Sequence, residues 1–161
     1  MQSKLIDSPI GLITLIAEDG AITGLYFKSN TPDFPSHTAQ KQDCEEILNK
    51  CEQELAAYFT GNLQDFTVPV SPKGTAFRES VWKELLQIRY GETASYRDIA
   101  ERIGKPKAMR AVGGANHNNP ISIIVPCHRI IGASGSLTGY GGGLDAKRWL
   151  LDLETKHKTR K

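Results

Sequence analysis

A short apolar run at residues 121–125 leads directly into the stretch Pro126-Cys127-His128-Arg129-Ile130. The run is rich in β-branched residues, which favour buried strands. It therefore predicts a buried run that ends at a cysteine, a histidine and an arginine. A cysteine next to an imidazole and a guanidinium is a candidate thiolate nucleophile. This stretch predicts a nucleophile without identifying its target.

The charge of the chain is distributed unevenly between its two halves. Residues 1–70 hold 4 Lys and Arg against 10 Asp and Glu, whereas residues 71–161 hold 16 against 8, although the formal net charge is only +2. An acidic half beside a basic half indicates that only the second half meets a polyanion. On charge alone, a solvated mixture of charges explains the pattern equally well.

The three cysteines, at positions 44, 51 and 127, form neither a CxxC pair nor an even set. Neither a zinc site nor a disulfide framework is therefore predicted, and a reducing compartment fits best. The first residues are too polar for a signal peptide, and no apolar stretch approaches the roughly 18 residues that cross a bilayer. We expect no membrane partner and an intracellular location, cytoplasmic or, in a eukaryotic cell, nuclear.

The first half, residues 1–70, predicts a small supporting domain. Its β-rich runs are broken by Pro-Gly and Asp-Gly turn signals, which are typical of an antiparallel meander. After a polar loop, apolar residues at helical spacing predict one helix, with Asp43 as its N-cap. Two prolines, at 69 and 72, indicate a linker to a second domain over residues 71–161. The predicted strands cover 4–7, 12–17 and 21–27, the loop covers 28–42, and the helix covers 43–59.

The second half predicts a helix-turn-helix. Apolar spacing predicts helices over about 76–89, 96–103 and 107–115. A capping box at Ser95 and Asp98 starts the second helix, and Pro106 fits the first turn of the third. Two short helices joined by a Gly-containing turn outline a helix-turn-helix whose second helix is the recognition helix.

The predicted recognition helix is poor in long polar side chains. Its small and apolar residues leave Arg110 nearly alone to reach base edges. A helix of small residues allows close backbone approach, which favours sequence-independent contact with a shallow or narrow groove. A tightly packed helical hairpin with one exposed arginine is the alternative on this segment alone.

Residues 132–143 form a glycine-rich loop that lacks the Lys-Ser/Thr ending of a phosphate-binding loop. We interpret it as a flexible wall over a pocket, with Tyr140 as its one large aromatic residue. A last helix is predicted over 144–154. The basic tail at 156–161 either touches phosphates or is a solvated end.

Four motifs together resemble the O6-alkylguanine-DNA alkyltransferase family. They are Ala108-Met109-Arg110-Ala111-Val112-Gly113-Gly114-Ala115, Asn119-Pro120, Pro126-Cys127-His128-Arg129 and the Tyr140 to Leu144 segment, in the family's order and spacing. The resemblance implies an α+β fold, with a small N-terminal α/β domain of the ribonuclease-H-like type followed by a winged helix-turn-helix DNA-binding and catalytic domain. It also implies direct-reversal repair, in which an alkyl group leaves O6 of a flipped guanine for a cysteine sulfur and the protein is consumed.

The same resemblance implies the partner. We expect double-stranded DNA carrying O6-alkylguanine, bound by a monomer with little sequence specificity and without a cofactor. Whether O4-alkylthymine also reacts stays open.

The resemblance also assigns catalytic roles by motif position. Cys127 is the acceptor, His128 acts as its base through a water, and Glu154 orients and polarises that histidine. The water is needed because adjacent side chains of an extended segment point to opposite sides. Tyr96 donates to guanine N3, which helps the base to leave. Asn119 ties the helix-turn-helix to the active-site turn.

Two further groups of residues follow from the resemblance. Arg110 fills the stack that the flipped nucleotide leaves, and the carbonyls of Cys127 and Ile130 accept from the guanine amine. The predicted DNA contacts are Tyr96, Ala108, Met109, Arg110, Ala111, Gly113 and Arg129. The predicted substrate pocket is lined by Ile130, Tyr140 and Gly141.

Two positions depart from some relatives, since residue 122 is serine instead of proline and residue 141 is glycine instead of serine. These departures leave the range of accepted alkyl groups open. Three other functions fit parts of the sequence. The adjacent His128 disfavours a cysteine hydrolase, and Cys127 disfavours a non-catalytic alkyltransferase-like lesion binder. The alanine-rich recognition helix disfavours a repressor with a defined operator.

Overall fold

The computed structural model describes residues 1–28, 42–132, 134–135, 137, 140 and 142–158. The predicted loop at 28–42 lies outside the described residues except at its two ends, as do Gly141 and the last three residues of the predicted tail. The mixed α and β fold class is confirmed, because a small antiparallel sheet with one helix precedes a mainly helical part. Among the described residues, no helix is long and apolar enough to cross a membrane.

Three N-terminal strands confirm the predicted meander. They pair antiparallel in chain order, and Ile13 and Leu15 are fully buried on the face toward the helix that follows. Alternation of buried and less buried residues along a strand is what a sheet with one covered face requires. The elements are β1 (Gln2–Ile6), β2 (Ile13–Glu18), β3 (Ala21–Phe27) and α1 (Gln42–Phe59).

Helix α1 begins at Gln42, so Asp43 lies inside the helix and is not its N-cap as predicted. Its two cysteines, Cys44 and Cys51, are buried free thiols. Burial raises the pKa of Cys51 to about 12, and therefore this thiol is an inert packing residue. The buried face of α1 comprises Cys44, Leu48, Cys51, Leu55 and Tyr58.

The sheet and the second half of the chain share one hydrophobic core. Ile22 forms a parallel bridge with Val70, and Leu25 forms one with Ile121. The N–H of Leu25 donates to the Pro120 carbonyl at 2.8 Å. The backbone of β3 thereby holds the segment that leads to Cys127, while the division into domains at residues 70 and 71 stays a prediction.

The second half contains the predicted helix-turn-helix. Helices α3 and α4 pack against each other and on α2, and the indole N–H of Trp82 donates to the Ala115 carbonyl at 2.8 Å to join α2 to α4. Strands β4 and β5 form a small parallel pair, which brings the start of α3 to the segment after Cys127. The elements are α2 (Ala76–Leu85), β4 (Ala94–Ser95), α3 (Tyr96–Arg102), α4 (Met109–His117), β5 (Ile130–Ile131) and α5 (Leu144–His157).

Two helix boundaries differ from prediction. Helix α2 ends at Leu85, before the predicted residue 89, and the Ile88 carbonyl accepts a side-chain hydrogen bond instead of a helical one. Helix α4 begins at Met109, so Pro106 lies outside its first turn. The N–H of Ala108 donates to the Lys105 carbonyl at 2.9 Å, which places Pro106 at the second position of a tight turn, a position that proline favours.

The apolar run at 121–125 is buried, but it forms turns and not the predicted strand. Ile123 has a φ of 73°, and the N–H of Ile124 donates to the Ser122 carbonyl at 2.9 Å. Such a three-residue turn with positive φ is rare and costs a β-branched residue about 1–3 kcal/mol. The surrounding contacts must therefore hold it in place.

The structure confirms the predicted capping box at the start of α3. Replacement of Ser95 tests its contribution to stability. The Oγ of Ser95 accepts from the Asp98 N–H at 3.1 Å, and Asp98 Oδ2 accepts from the Ser95 N–H at 2.9 Å. We expect Ser95→Ala to lower the free energy of unfolding by about 1 kcal/mol, because one N-terminal donor of α3 loses its acceptor. Urea denaturation followed by circular dichroism measures this loss.

Ser80→Ala is the matched control for Ser95→Ala. The Ser80 hydroxyl donates to the Phe77 carbonyl at 2.6 Å within α2, where alanine is the better helix former. We expect its free energy of unfolding to stay the same or to rise. Equal losses in the two variants would contradict the capping role of Ser95.

Candidate active site around Cys127

The side chain of Asn119 fixes the loop that carries Cys127. Its Oδ1 accepts from the Ile121 N–H at 3.0 Å, and its Nδ2 donates to the Val125 carbonyl at 2.8 Å. One buried side-chain amide therefore binds both the first and the last residue of the apolar run and stabilises the strained turn between them. Asn119 follows α4, so it also links the helix-turn-helix to the loop.

Cys127 begins a single 3-10 turn, Cys127–Arg129, and not the extended segment that was expected. The residue is only 3% exposed, and its N–H donates to the Val125 carbonyl at 2.7 Å. Burial raises the pKa of the Cys127 thiol, while hydrogen bonds from Asn119 and Ser122 and the charge of Lys147 act in the opposite direction. Because burial prevails, the sulfur is a neutral thiol at rest and needs a base to become a thiolate.

His128 faces Glu154 in the protein interior. Its Nε2 lies 2.8 Å from Glu154 Oε2, and the two side chains are 0% and 1% exposed. Because a carboxylate only accepts, the proton of the neutral ring lies on Nε2. Nδ1 is then an acceptor, and it is buried without a hydrogen-bond partner among the described residues. Burial lowers the pKa of His128, and the charge of Glu154 opposes this shift without overcoming it.

The carboxylate of Glu154 accepts hydrogen bonds from separate parts of the chain. Besides His128, Tyr58 Oη donates at 2.6 Å, Arg129 donates through Nε at 2.8 Å and Nη2 at 2.9 Å, and the Gly91 N–H donates at 3.4 Å. Burial alone would raise the pKa of Glu154, but His128 and Arg129 hold it well below its usual range. Glu154 is therefore a fixed anion on α5.

The structure corrects the prediction that Arg129 contacts DNA. Its side chain is 9% exposed, and its guanidinium binds Glu154. Nη1 donates to the Ile88 carbonyl at 2.6 Å, and the guanidinium lies over the Tyr90 ring at 5.8 Å. Because these contacts are interior, the guanidinium balances the charge of Glu154 in the protein interior.

Lys147 is a site residue that the sequence reasoning missed. It is fully buried on α5, and its Nζ donates to the Ile130 carbonyl at 2.5 Å. Burial lowers the pKa of Lys147, and the nearby Cys127 opposes this shift. The sequence does hold a signal, since Lys147, Leu150 and Glu154 recur on one helical face. The lysine engages the same carbonyl that was predicted to accept from the guanine amine.

Tyr140 lies beside the catalytic histidine candidate. Its ring centroid is 6.4 Å from that of His128 and 5.5 Å from that of Phe27 on β3, both edge-on. A Cβ on Gly142 would come within 2.9 Å of the Phe27 ring, so only glycine fits this close approach. Ile130 is fully buried at the start of β5. Gly141, the third predicted pocket residue, lies outside the described residues.

The first turn of α4 presents its side chains to solvent. Ala108, just before the helix, is partly buried. A Cβ on Gly113 would lie 3.8 Å from the ring of Tyr96, so the half-buried tyrosine covers this glycine. The structure thus separates a buried group around Cys127 from an exposed group on α4. The exposed residues of that turn are Met109, Arg110 and Ala111.

The lowered pKa of His128 makes the stability of the fold depend on pH. In the unfolded chain its pKa is about 6.5, so below that pH the unfolded state binds a proton that the folded state does not. We therefore expect the free energy of unfolding to decrease as pH falls from about 7.5 to about 5.5. His128→Gln removes this component, and urea denaturation at the two pH values measures the difference. A decrease as large in His128→Gln as in the wild type would contradict the lowered pKa.

Two family models match the chain and together cover most of it. Residues 1–72 match the "6-O-methylguanine DNA methyltransferase, ribonuclease-like domain", and residues 76–156 match the "6-O-methylguanine DNA methyltransferase, DNA binding domain". These matches include the helix-turn-helix, Cys127 and Glu154.

Individual relatives and a solved structure agree with these matches. A methylated-DNA–protein-cysteine methyltransferase of Mycolicibacterium paratuberculosis is 50% identical over 98% of this chain and 94% of its own length. One of Methanosarcina acetivorans is 46% identical over 96% of this chain and 98% of its own length. The crystal structure of Mycobacterium tuberculosis OGT in complex with DNA is 48% identical, with a TM-score of 0.88 over 98% of this chain and 94% of that chain. The chain therefore belongs to the 6-O-methylguanine DNA methyltransferase family.

Proposed function

We propose that this protein repairs DNA by direct reversal, moving an alkyl group from O6 of a guanine in double-stranded DNA to the sulfur of Cys127 in a single turnover. One observation carries the proposal. A buried thiol shares a 3-10 turn with His128, whose Nε2 lies 2.8 Å from a fixed carboxylate on α5. A nucleophile, a base and an orienting anion are thereby held together.

The buried environment explains why a base is needed for the first step. Attack on carbon requires a thiolate, but burial keeps the Cys127 pKa raised. We propose that Nδ1 of His128 takes the thiol proton through a water, since this nitrogen is the acceptor of the neutral ring. The charge of Lys147 and the hydrogen bond from Asn119 favour the thiolate that remains.

Alkyl transfer then exchanges one bond for another. The S–C bond forms as the O6–C bond breaks, and the bonding pair stays with the guanine. A hydrogen bond from Tyr96 to guanine N3 stabilises the departing base. The base leaves as neutral guanine after it takes up one proton, which balances the proton that His128 removed from the Cys127 thiol. The product S-alkylcysteine is a thioether and no longer a nucleophile, so each protein molecule repairs one lesion.

The exposed turn of α4 is proposed to meet the DNA backbone and groove. Small residues let the helix approach closely, and the basic second half supplies attraction to phosphates. Few side chains of α4 are long enough to contact base edges, which agrees with DNA binding of little sequence specificity. We propose that Arg110 enters the stack when the guanine is flipped toward Cys127, which lowers the cost of extrusion.

Two expectations about the state of the protein belong to the same proposal. It acts as a monomer, and it acts in a reducing compartment, the cytoplasm or the nucleus of a eukaryotic cell. Both stay predictions from the amino-acid sequence.

Mass spectrometry tests the acceptor role of Cys127. Incubation with duplex DNA that carries O6-methylguanine should add one methyl group, about 14 Da, to one residue of each protein molecule, because the thioether is not regenerated. Peptide mapping should place it on Cys127. Cys127→Ala should take up no methyl group, and Cys44→Ala, which removes a buried thiol of α1, should keep full transfer.

Two outcomes would contradict this assignment. Repeated turnover would show that the cysteine is regenerated. Lesion-dependent binding without transfer under reducing conditions would instead support a non-catalytic lesion binder.

Arg110→Ala tests the base-flipping role. We expect transfer from duplex DNA to slow by about tenfold or more, since extrusion costs a few kcal/mol, while transfer from the free base O6-methylguanine changes less. Single-turnover rates with the two substrates measure this difference. Arg89→Ala is the control, because Arg89 is an exposed arginine of the same half outside the helix-turn-helix. Equal losses of Arg110→Ala on both substrates would contradict the role.

A further inference from the structure

Tyr58 lies on α1, in the half of the chain for which the proposed chemistry has no role, yet its hydroxyl reaches the Glu154 carboxylate. The side chain is fully buried, and Oη donates to Oε2 at 2.6 Å across 96 residues of sequence. The same Oε2 lies 2.8 Å from Nε2 of His128. One oxygen therefore accepts from both Tyr58 and the histidine that is proposed to act as base.

The ring of Tyr58 is held on several sides by other aromatic rings. Its centroid lies 5.3 Å from that of Phe66, 5.6 Å from that of Phe59 and 6.1 Å from that of Tyr90. Burial, reinforced by the charge of Glu154, raises the pKa of Tyr58 far above its ordinary value. The phenol is therefore protonated and donates to Glu154, and its direction is fixed by packing.

We propose that Tyr58 is a positioning residue for alkyl transfer, and that its hydroxyl sets the orientation in which Glu154 holds His128. The inference rests on the proposed function and extends it to the N-terminal part of the chain. Through Tyr58, the N-terminal part supplies a hydrogen bond to the catalytic network, and its function is more than mechanical support.

Two physical effects follow from that hydrogen bond. It adds a third donor to Oε2, which also accepts from Nε2 of His128 and Nη2 of Arg129, and so limits rotation of the carboxylate. It also draws negative charge from Oε2, so the carboxylate stabilises the protonated form of His128 less. Without Tyr58 Oη, the pKa of His128 should rise and its bond to Glu154 should lose its fixed geometry. The titratable and charged groups that face the Glu154–His128 pair are Tyr58, Tyr90, Cys127, Arg129, Tyr140 and Lys147.

Tyr58→Phe removes the hydroxyl and keeps the ring. Tyr90→Phe is the matched control, because Tyr90 is a buried tyrosine of the same cluster whose hydroxyl has no hydrogen-bond partner among the described residues. For Tyr58→Phe we expect the single-turnover rate of methyl transfer to fall about tenfold or more, as for loss of one hydrogen bond to a charged group. For Tyr90→Phe we expect the wild-type rate.

Nuclear magnetic resonance of the His128 ring separates positioning from mere stabilisation. In ¹⁵N-histidine-labelled protein, Tyr58→Phe should raise the pKa of His128 and broaden or shift its Nε2–H signal, whereas Tyr90→Phe should leave both unchanged. This readout needs no DNA. If the wild type transferred no methyl group, the proposed function would fail, and the ring signals would still decide whether Tyr58 orients the pair.

A second substitution covers the case in which Tyr58→Phe folds poorly. Site-specific replacement of Tyr58 by 3,5-difluorotyrosine strengthens the donor and keeps the size of the ring, so the pKa of His128 should move down instead of up. A wild-type His128 titration and wild-type transfer rate in both Tyr58 variants would overturn the proposal. So would a loss of rate in Tyr58→Phe that Tyr90→Phe matches.

Discussion

The second half of the structure depends on the contacts that balance the buried negative charge of Glu154. An isolated carboxylate in the interior would cost several kcal/mol, so it must be met by a cation and by directed donors. Arg129 supplies the cation, and His128, Tyr58 and the Gly91 N–H supply the remaining donors. These groups come from the Cys127 loop, α1 and the turn after α2. The need to satisfy one anion thus brings distant segments to α5.

The division of labour between Arg129 and His128 follows from this arrangement. Because the guanidinium already balances the carboxylate, the imidazole does not have to be charged, and burial favours its neutral form. A neutral ring that donates through Nε2 presents a lone pair at Nδ1. A neutral ring is also the form that can accept a proton, as the proposed base role of His128 requires.

The sequence predicted the elements whose determinants are local. The meander follows from turn signals between β-rich runs, and the start of α3 follows from the reciprocal bonds of Ser95 and Asp98. The Cys127 motif, together with the three other motifs, also indicated the family. Errors arose where a distant group decides the local structure. Helix α2 stops early where the Ile88 carbonyl accepts from Arg129, 41 residues later in the chain. The run after Asn119 turns because one amide closes it.

Helical periodicity predicted which faces are buried, but it did not predict the polar contacts that residues on those faces make. The spacing of α1 places Tyr58 in the core, but it does not show that its hydroxyl meets a carboxylate on α5. Lys147 shares the buried face of α5 with Leu150, and its spacing does not predict the carbonyl that its ammonium reaches. A helical period fixes the direction of a side chain about its own axis. It contains no information on the element across the core.

The burial of Cys127 also affects how easily its thiol is oxidised before the protein binds damaged DNA. Oxidants such as peroxides attack exposed thiolates, whereas a buried and protonated thiol reacts slowly with them. Because Cys127 is only 3% exposed and its pKa is raised, its sulfur is protected from oxidation in the resting state. A molecule that can react only once gains from this shielding, because its single reactive group is kept for damaged DNA.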